Sequence, residues 1–148
     1  MYLGHLDAKS PPKEVLIPHD GQGSGIALAK RQELGEATAN IIFELSKTPS
    51  SLSNKNILLS GPKSLSLQET ADVIGQVINT DLPIKQVSVE EYAQRSEVDQ
   101  GLAGQGREWA NAWDAIRDGE TDVVTPHLKY YLGREPESFQ STIRAMLA

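Results

Sequence analysis

The stretch Asn56-Ile57-Leu58-Leu59-Ser60-Gly61-Pro62-Lys63-Ser64-Leu65-Ser66-Leu67-Gln68-Glu69 decides how the chain is read. Its first five residues are a short apolar run of the kind buried in parallel sheets, and Gly61-Pro62 ends it. Ser66, with Glu69 three residues on, makes a capping box, and Leu67, Ala71, Ile74 and Ile78 then recur at helical spacing. The spacing predicts a helix from Leu67 to about Asn79. A strand that feeds a helix through a tight turn is the building unit of an α/β fold.

The same alternation extends outward in both directions. Upstream, Val15 to Ile17 predicts a short strand and Gly25 to Ala29 a second. Lys30 to Lys47 then predicts a helix with Leu34, Ala37, Ile41, Ile42 and Leu45 on one face. The first 25 residues, punctuated by Pro11-Pro12, Pro18 and Gly21-Gln22-Gly23-Ser24-Gly25, read as a poorly self-supporting leading segment. Downstream, Ile84 to Val87 predicts a strand, and Ser88 with Glu91 repeats the capping pattern ahead of a helix that includes Tyr92. Asp99 to Gly106 holds three glycines and reads as a mobile loop. Arg107 to Asp118 carries Trp109, Trp113 and Ile116 at the spacing of one amphipathic helix. Thr121 to Thr125 predicts a short strand, Pro126 the start of a helical turn, and Ser138 to Leu147 a closing helix.

These elements predict an α/β domain spanning 1–148, with a few mostly parallel strands and flanking helices. A doubly wound sheet has about five or more strands, and only two or three runs here are apolar enough to be central ones. The chain therefore reads as the end of a sheet whose beginning lies elsewhere.

Composition narrows the classes of function. At 148 residues the chain is long enough to bury a core without disulfides, and it has no cysteine, which excludes thiol nucleophiles and thiolate metal sites. Its 14 basic against 20 acidic residues give a net charge of −6 with no basic cluster, so nucleic acid is not an expected partner. The start, Met1-Tyr2-Leu3-Gly4-His5-Leu6-Asp7, has neither a basic leader nor an apolar core, and no apolar run approaches the roughly 20 residues of a membrane helix. The expected location is cytoplasmic, with no membrane partner.

No complete catalytic constellation is present. The glycine run at 21–25 does not fit a dinucleotide fingerprint, because Ile26 stands where the third glycine belongs and the run opens a strand-like segment. It reads as a flexible, hairpin-like connection. No Tyr-x-x-x-Lys pair is present: Ser96, Arg134 and Glu135 follow Tyr92, Tyr130 and Tyr131 at that spacing. His5, His19 and His127 lack a second ligand at metal spacing, so no metal site is expected. Trp109 and Trp113 read either as core residues or as the walls of a pocket for a flat aromatic ligand, with the preceding glycine-rich loop as a lid. His19 reads either as an exposed loop residue or as a polar contact at a pocket rim. The candidate substrate-binding residues are Trp109, Trp113, Tyr92, Tyr2 and His19. The catalytic residues are unassigned.

Several segments taken in order resemble NmrA-like proteins, the atypical short-chain dehydrogenase/reductases. They are Ile17-Pro18-His19-Asp20-Gly21, Gly25 to Ala29, Arg31-Gln32-Glu33-Leu34-Gly35-Glu36-Ala37, Leu58 to Ser66, Ile84 to Tyr92, and Tyr131-Leu132-Gly133-Arg134-Glu135-Pro136 with Phe139. The similarity runs from about Val15 to the end and is to that family's C-terminal, substrate-binding portion. It implies a full-length protein with an NAD(P)-binding Rossmann half first and a smaller substrate half second, of which this chain is expected to hold only the second. It implies NAD(P)H as the cofactor of full-length relatives, with none bound by this chain alone. Gln32 departs from the family, which commonly has an acidic residue there, and the glycine loop is longer.

Three functions follow as expectations: the substrate-binding portion of a reductase-type protein that cannot transfer hydride alone, a cofactor-independent cyclase or isomerase on the same scaffold, or a non-catalytic regulatory or dimerisation module. The expected partners are a small-molecule substrate, an aromatic one among the candidates, and either a second copy of the chain or a complementary N-terminal half.

Overall fold

The computed structural model describes residues 12–147 apart from 51, 53 and 96–104. Along it run strand β1 (Val15–Ile17), helices α1 (Arg31–Lys47) and α2 (Leu67–Ile78), strand β2 (Ile84–Gln86) and helices α3 (Val89–Ala93), α4 (Gly106–Trp109), α5 (Asn111–Arg117), α6 (His127–Leu132) and α7 (Phe139–Leu147). The fold is α/β, as the alternation predicts.

Strands β1 and β2 pair in parallel with Val15 opposite Ile84 and Ile17 opposite Gln86. The ladder extends one bond beyond each end, from Val15 N to Pro83 O at 2.9 Å and from Val87 N to Ile17 O at 3.0 Å. Val15 and Ile17 are buried and Leu16 is half-buried, the period-two pattern of a strand with one covered face. Parallel strands need a crossover between them, and α2 lies on that crossover.

The capping box at the start of α2 forms as read. Glu69 N donates to Ser66 Oγ at 3.1 Å, and Ser66 N donates back to Glu69 Oε2 at 2.8 Å. Two amide groups that the first turn cannot satisfy are thereby paired. Asn79 ends the helix in the left-handed conformation (φ 54°). The buried face of α2, Leu67, Ala71 and Ile74, meets Val15, Ile17, Leu82, Ala110, Trp113, Ile116 and Ile143 in the main core. A smaller core of Ala37, Leu128 and Leu132 joins α1 to α6. Along α1 the expected face is not wholly buried: Ile42 is exposed.

Three expected strands do not form. Gly25–Ala29, Asn56–Ser60 and Thr121–Thr125 run extended and linked, but the one β-bridge among them and their neighbours joins Ile26 to Leu65, antiparallel. Gly61 N donates to Ala27 O at 2.9 Å and Ala27 N to Thr121 O at 3.2 Å, while Leu28 N turns back to Ile26 O at 3.0 Å. That local bond removes Leu28 from any ladder. Side-chain hydroxyls take further ladder positions: Thr125 Oγ1 donates to Leu58 O at 2.6 Å, and Ser60 Oγ accepts from Thr125 N at 2.8 Å. Gly61 is required where these segments meet, since a Cβ there would stand 1.9 Å from Leu28 O.

The helix expected over 107–118 is divided at Ala110. Ala110 N bonds to Arg107 O at 3.2 Å and Trp113 N to Ala110 O at 3.0 Å, both three residues back. Such tight turns advance the chain by fewer residues per turn than an α-helix, so side chains four apart across the join no longer share a face. Of the mobile loop expected at 99–106, residues 99–104 lie outside the described residues, and Gly106 is a buried residue of α4.

Candidate functional site

A groove of about 660 Å³ opens between the start of α1, the middle of α2 and the length of α7. Its apolar lining is Leu28, Ala29, Ile74, Phe139, Ile143, Ala145, Met146 and Leu147, and its polar lining is Lys30, Arg31, Gln32, Thr142 and Glu137. Ile74 and Ile143 belong to the main core, so the floor is rigid; Ala145 and Met146 are exposed on its wall. An apolar concavity of this size with a few polar groups at one end is the usual form of a small-molecule site.

A cluster of charges holds the two sides of the groove together. Glu33, buried on the first turn of α1, accepts from Arg134 Nη1 and from Glu137 N, the latter at 3.1 and 3.0 Å to its two oxygens. Arg134 Nη2 also reaches Glu36 Oε2 at 2.6 Å. Lys30 Nζ donates to Glu137 Oε2, and this bond holds the Glu137 carboxyl below the ordinary carboxylate range. Asn40 Nδ2 donates to Tyr131 O at 2.8 Å, tying the middle of α1 to α6. These contacts fix the α6–α7 connection against the N-terminal half of α1, and so fix the groove's mouth.

Of the described residues singled out in the sequence, the structure brings Tyr92 and Trp113 together and leaves Trp109 out of that pair. Tyr92 and Trp113 meet edge to face with ring centroids 5.8 Å apart, and burial raises the Tyr92 hydroxyl above its usual pKa. Trp113 is 7% exposed within the main core, whereas Trp109 is 56% exposed. The two tryptophans are therefore not the facing walls of one pocket, because the break at Ala110 turns them apart. Neither lines the groove. Tyr2 lies outside the described residues.

His19 is not an exposed loop residue: it is 1% exposed. Its Nδ1 accepts from Gly21 N at 2.9 Å, and its Nε2 is buried with no partner among the described residues. Burial first, and then the nearby Arg117 guanidinium, lower its pKa, outweighing Asp20 and Asp114. The imidazole is thus neutral near pH 7 and carries its proton on Nε2. Arg117 Nη2 donates to Pro18 O at 3.1 Å, bracing the same turn from α5.

The glycine run that follows is tied at both ends. Gln68 N donates to Gly21 O at 2.9 Å, Ile26 N to Leu65 O at 2.8 Å, and Thr121 Oγ1 to Gly25 O at 2.8 Å. Gly25 lies against the Leu65 backbone, where a Cβ would come within 2.5 Å. The glycines permit backbone to approach backbone, and they do not open a helix toward an anion.

The groove residues Lys30, Arg31 and Glu137 were not singled out in the sequence. One local signal marks them: two consecutive cations stand where a helix start favours Ser, Thr, Asp or Asn. The N-cap residue of α1 is Lys30, and no side chain caps it.

No family model matches the chain, and no curated protein does. Solved structures do. A nucleoside-diphosphate-sugar epimerase from Staphylococcus aureus is similar with a TM-score of 0.69 and 22% identity over 87% of this chain. A triphenylmethane reductase from Citrobacter sp. gives 0.70 and 23% over 91%. An NADPH-dependent quinone oxidoreductase from Escherichia coli gives 0.73 and 14% over 92%.

The fold is a partial Rossmann-like α/β fold.

The chain spans less than half the length of these structures: 43%, 44% and 47% in that order. At these identities the likeness is one of fold, and at that level it bears out the NmrA-like resemblance read from the sequence. Among the described residues, no helix is long and apolar enough to cross a membrane.

Proposed function

We propose that this chain is the substrate-binding portion of an NAD(P)H-dependent reductase-type protein and does not transfer hydride by itself. The observation that carries the reading is the groove: a rigid apolar floor with a charged mouth, on a fold that two NADP(H)-dependent reductases share along part of their length. Small-molecule binding is what such a surface does.

The residues present do not fit a dinucleotide. A pyrophosphate needs glycines where a strand turns into a helix, so that backbone N–H groups can close on it. Here Gly21 N donates to His19 Nδ1 at 2.9 Å and Gly25 N to Asp122 Oδ2 at 3.4 Å, so the first and last amides of the run are already taken, and the run opens no helix. The turn into α1 is Ala29-Lys30-Arg31-Gln32, which has no glycine. A complementary nucleotide-binding half would supply the cofactor and the hydride, and this chain would orient the substrate.

Calorimetry tests the reading. The purified chain should take up no NADPH, and binding should appear when a matching nucleotide-binding half is added. Tight, stoichiometric uptake by the chain alone overturns the reading.

A second reading, a dimerisation module, is favoured by one observation. Leu58, Val123 and Val124 are exposed on the extended segments that do not form a ladder. Incompletely paired extended backbone with apolar side chains is a template for another chain. Sedimentation should then show a concentration-dependent dimer, and a monomer at all concentrations removes this reading.

A further inference from the structure

We propose that the groove takes a small apolar molecule bearing a single anionic group, with the anion at Arg31 and the apolar body against Ile74, Phe139, Ile143 and Met146. The proposal rests on the reading of the groove as a small-molecule site and names the class of molecule.

Charge complementarity at the mouth argues for an anion. Of the three charged residues that line the groove, Lys30 and Glu137 are paired, which leaves the positive charge of the third. That charge is on Arg31, which has no acidic partner among the described residues. Arg31 also occupies the first turn of a 17-residue helix, the end where the helix dipole disfavours a cation. An anion bound between them would relieve that conflict.

The groove itself argues for the apolar body. Phe139 and Met146 stand on the same helix as the core residue Ile143, and together with Ile74 from α2 they line the groove. A freely soluble polyanion would leave this surface wet. A molecule with one charged end and a hydrocarbon or aromatic remainder covers it.

The test compares two fluorescent dyes of nearly equal shape, the sulfonate 8-anilinonaphthalene-1-sulfonate and its neutral twin N-phenyl-1-naphthylamine. Affinities are measured on the folded chain and on two variants with unchanged urea midpoints. The native chain should prefer the sulfonate by about fivefold, the effect of one exposed ion pair. Arg31→Gln should abolish that preference while retaining the neutral dye, and Ala145→Trp, which fills the groove from an exposed position, should weaken both. Equal affinities in the native chain, or a preference that survives Arg31→Gln, overturn the anionic class and leave the groove reading standing. Failure of the native chain to bind either dye, or binding of both unaffected by Ala145→Trp, overturns the groove reading itself.

Discussion

Replacing Trp113 with alanine separates a core residue from a binding residue. The indole is 7% exposed and packs among Val15, Ile17, Leu67, Ala71 and Ile74. A buried tryptophan removes roughly 150–250 Å² from water, and at about 25 cal/mol/Å² this amounts to roughly 4–6 kcal/mol. The figure is an upper bound, because the unfolded chain already covers some of that surface. The edge-to-face contact with Tyr92 adds about 1 kcal/mol that alanine also forfeits. Trp113→Ala should therefore lower unfolding free energy by about 4 kcal/mol, within the range of large-to-small core replacements. A domain of this size has roughly 5–15 kcal/mol in all, so the loss would be large. Urea denaturation followed by circular dichroism measures it, with Trp109→Ala as a control expected to stay within about 0.5 kcal/mol. A Trp113→Ala chain that unfolds at the native urea concentration, yet no longer binds ligand, would refute the assignment to the core and restore Trp113 as a pocket wall.

Two further outcomes follow from the charged groups. Glu33→Gln keeps the shape but withdraws the charge that receives Arg134 and the Glu137 amide, so the urea midpoint should fall by the equivalent of about 2 kcal/mol; an unchanged midpoint would dismiss this cluster as the tie between α1 and α7. His19 has a folded pKa below its ordinary value of about 6.5, so it stabilises the neutral-pH fold fully above that value and loses the contribution as pH falls through its folded pKa. Stability measured from pH 7 down to about 5 should decline less steeply in His19→Asn, whose amide oxygen can still accept from Gly21. Parallel profiles would mean that His19 titrates alike in both states.

Legibility in the sequence followed the range of the interactions. The capping box of α2 and the closing helix rest on contacts within about four residues, and the strand at Val15–Ile17 shows its local period-two alternation; each is where its residues place it. The divided helix at Ala110 was not legible, because Trp109 and Trp113 have the right spacing for one face. Bonds three residues back at the junction override that spacing. The buried state of His19 was hidden too, since Pro18 and Gly21 beside it read as loop, and the groups that close over the turn come from far along the chain, Gln68 on Gly21 and Arg117, 99 residues along, on Pro18.

The amino-acid order alone determined that this is an α/β chain built on a Gly-Pro turn and a capped helix, with no glycine fingerprint for a dinucleotide. Tertiary structure alone decided where the groove lies, because it joins residues 28–32, 74 and 137–147, and Glu33 meets Arg134 across 101 positions. Periodicity and capping are local and can be read along the chain. A concave surface exists only once distant helices have been brought to share a core.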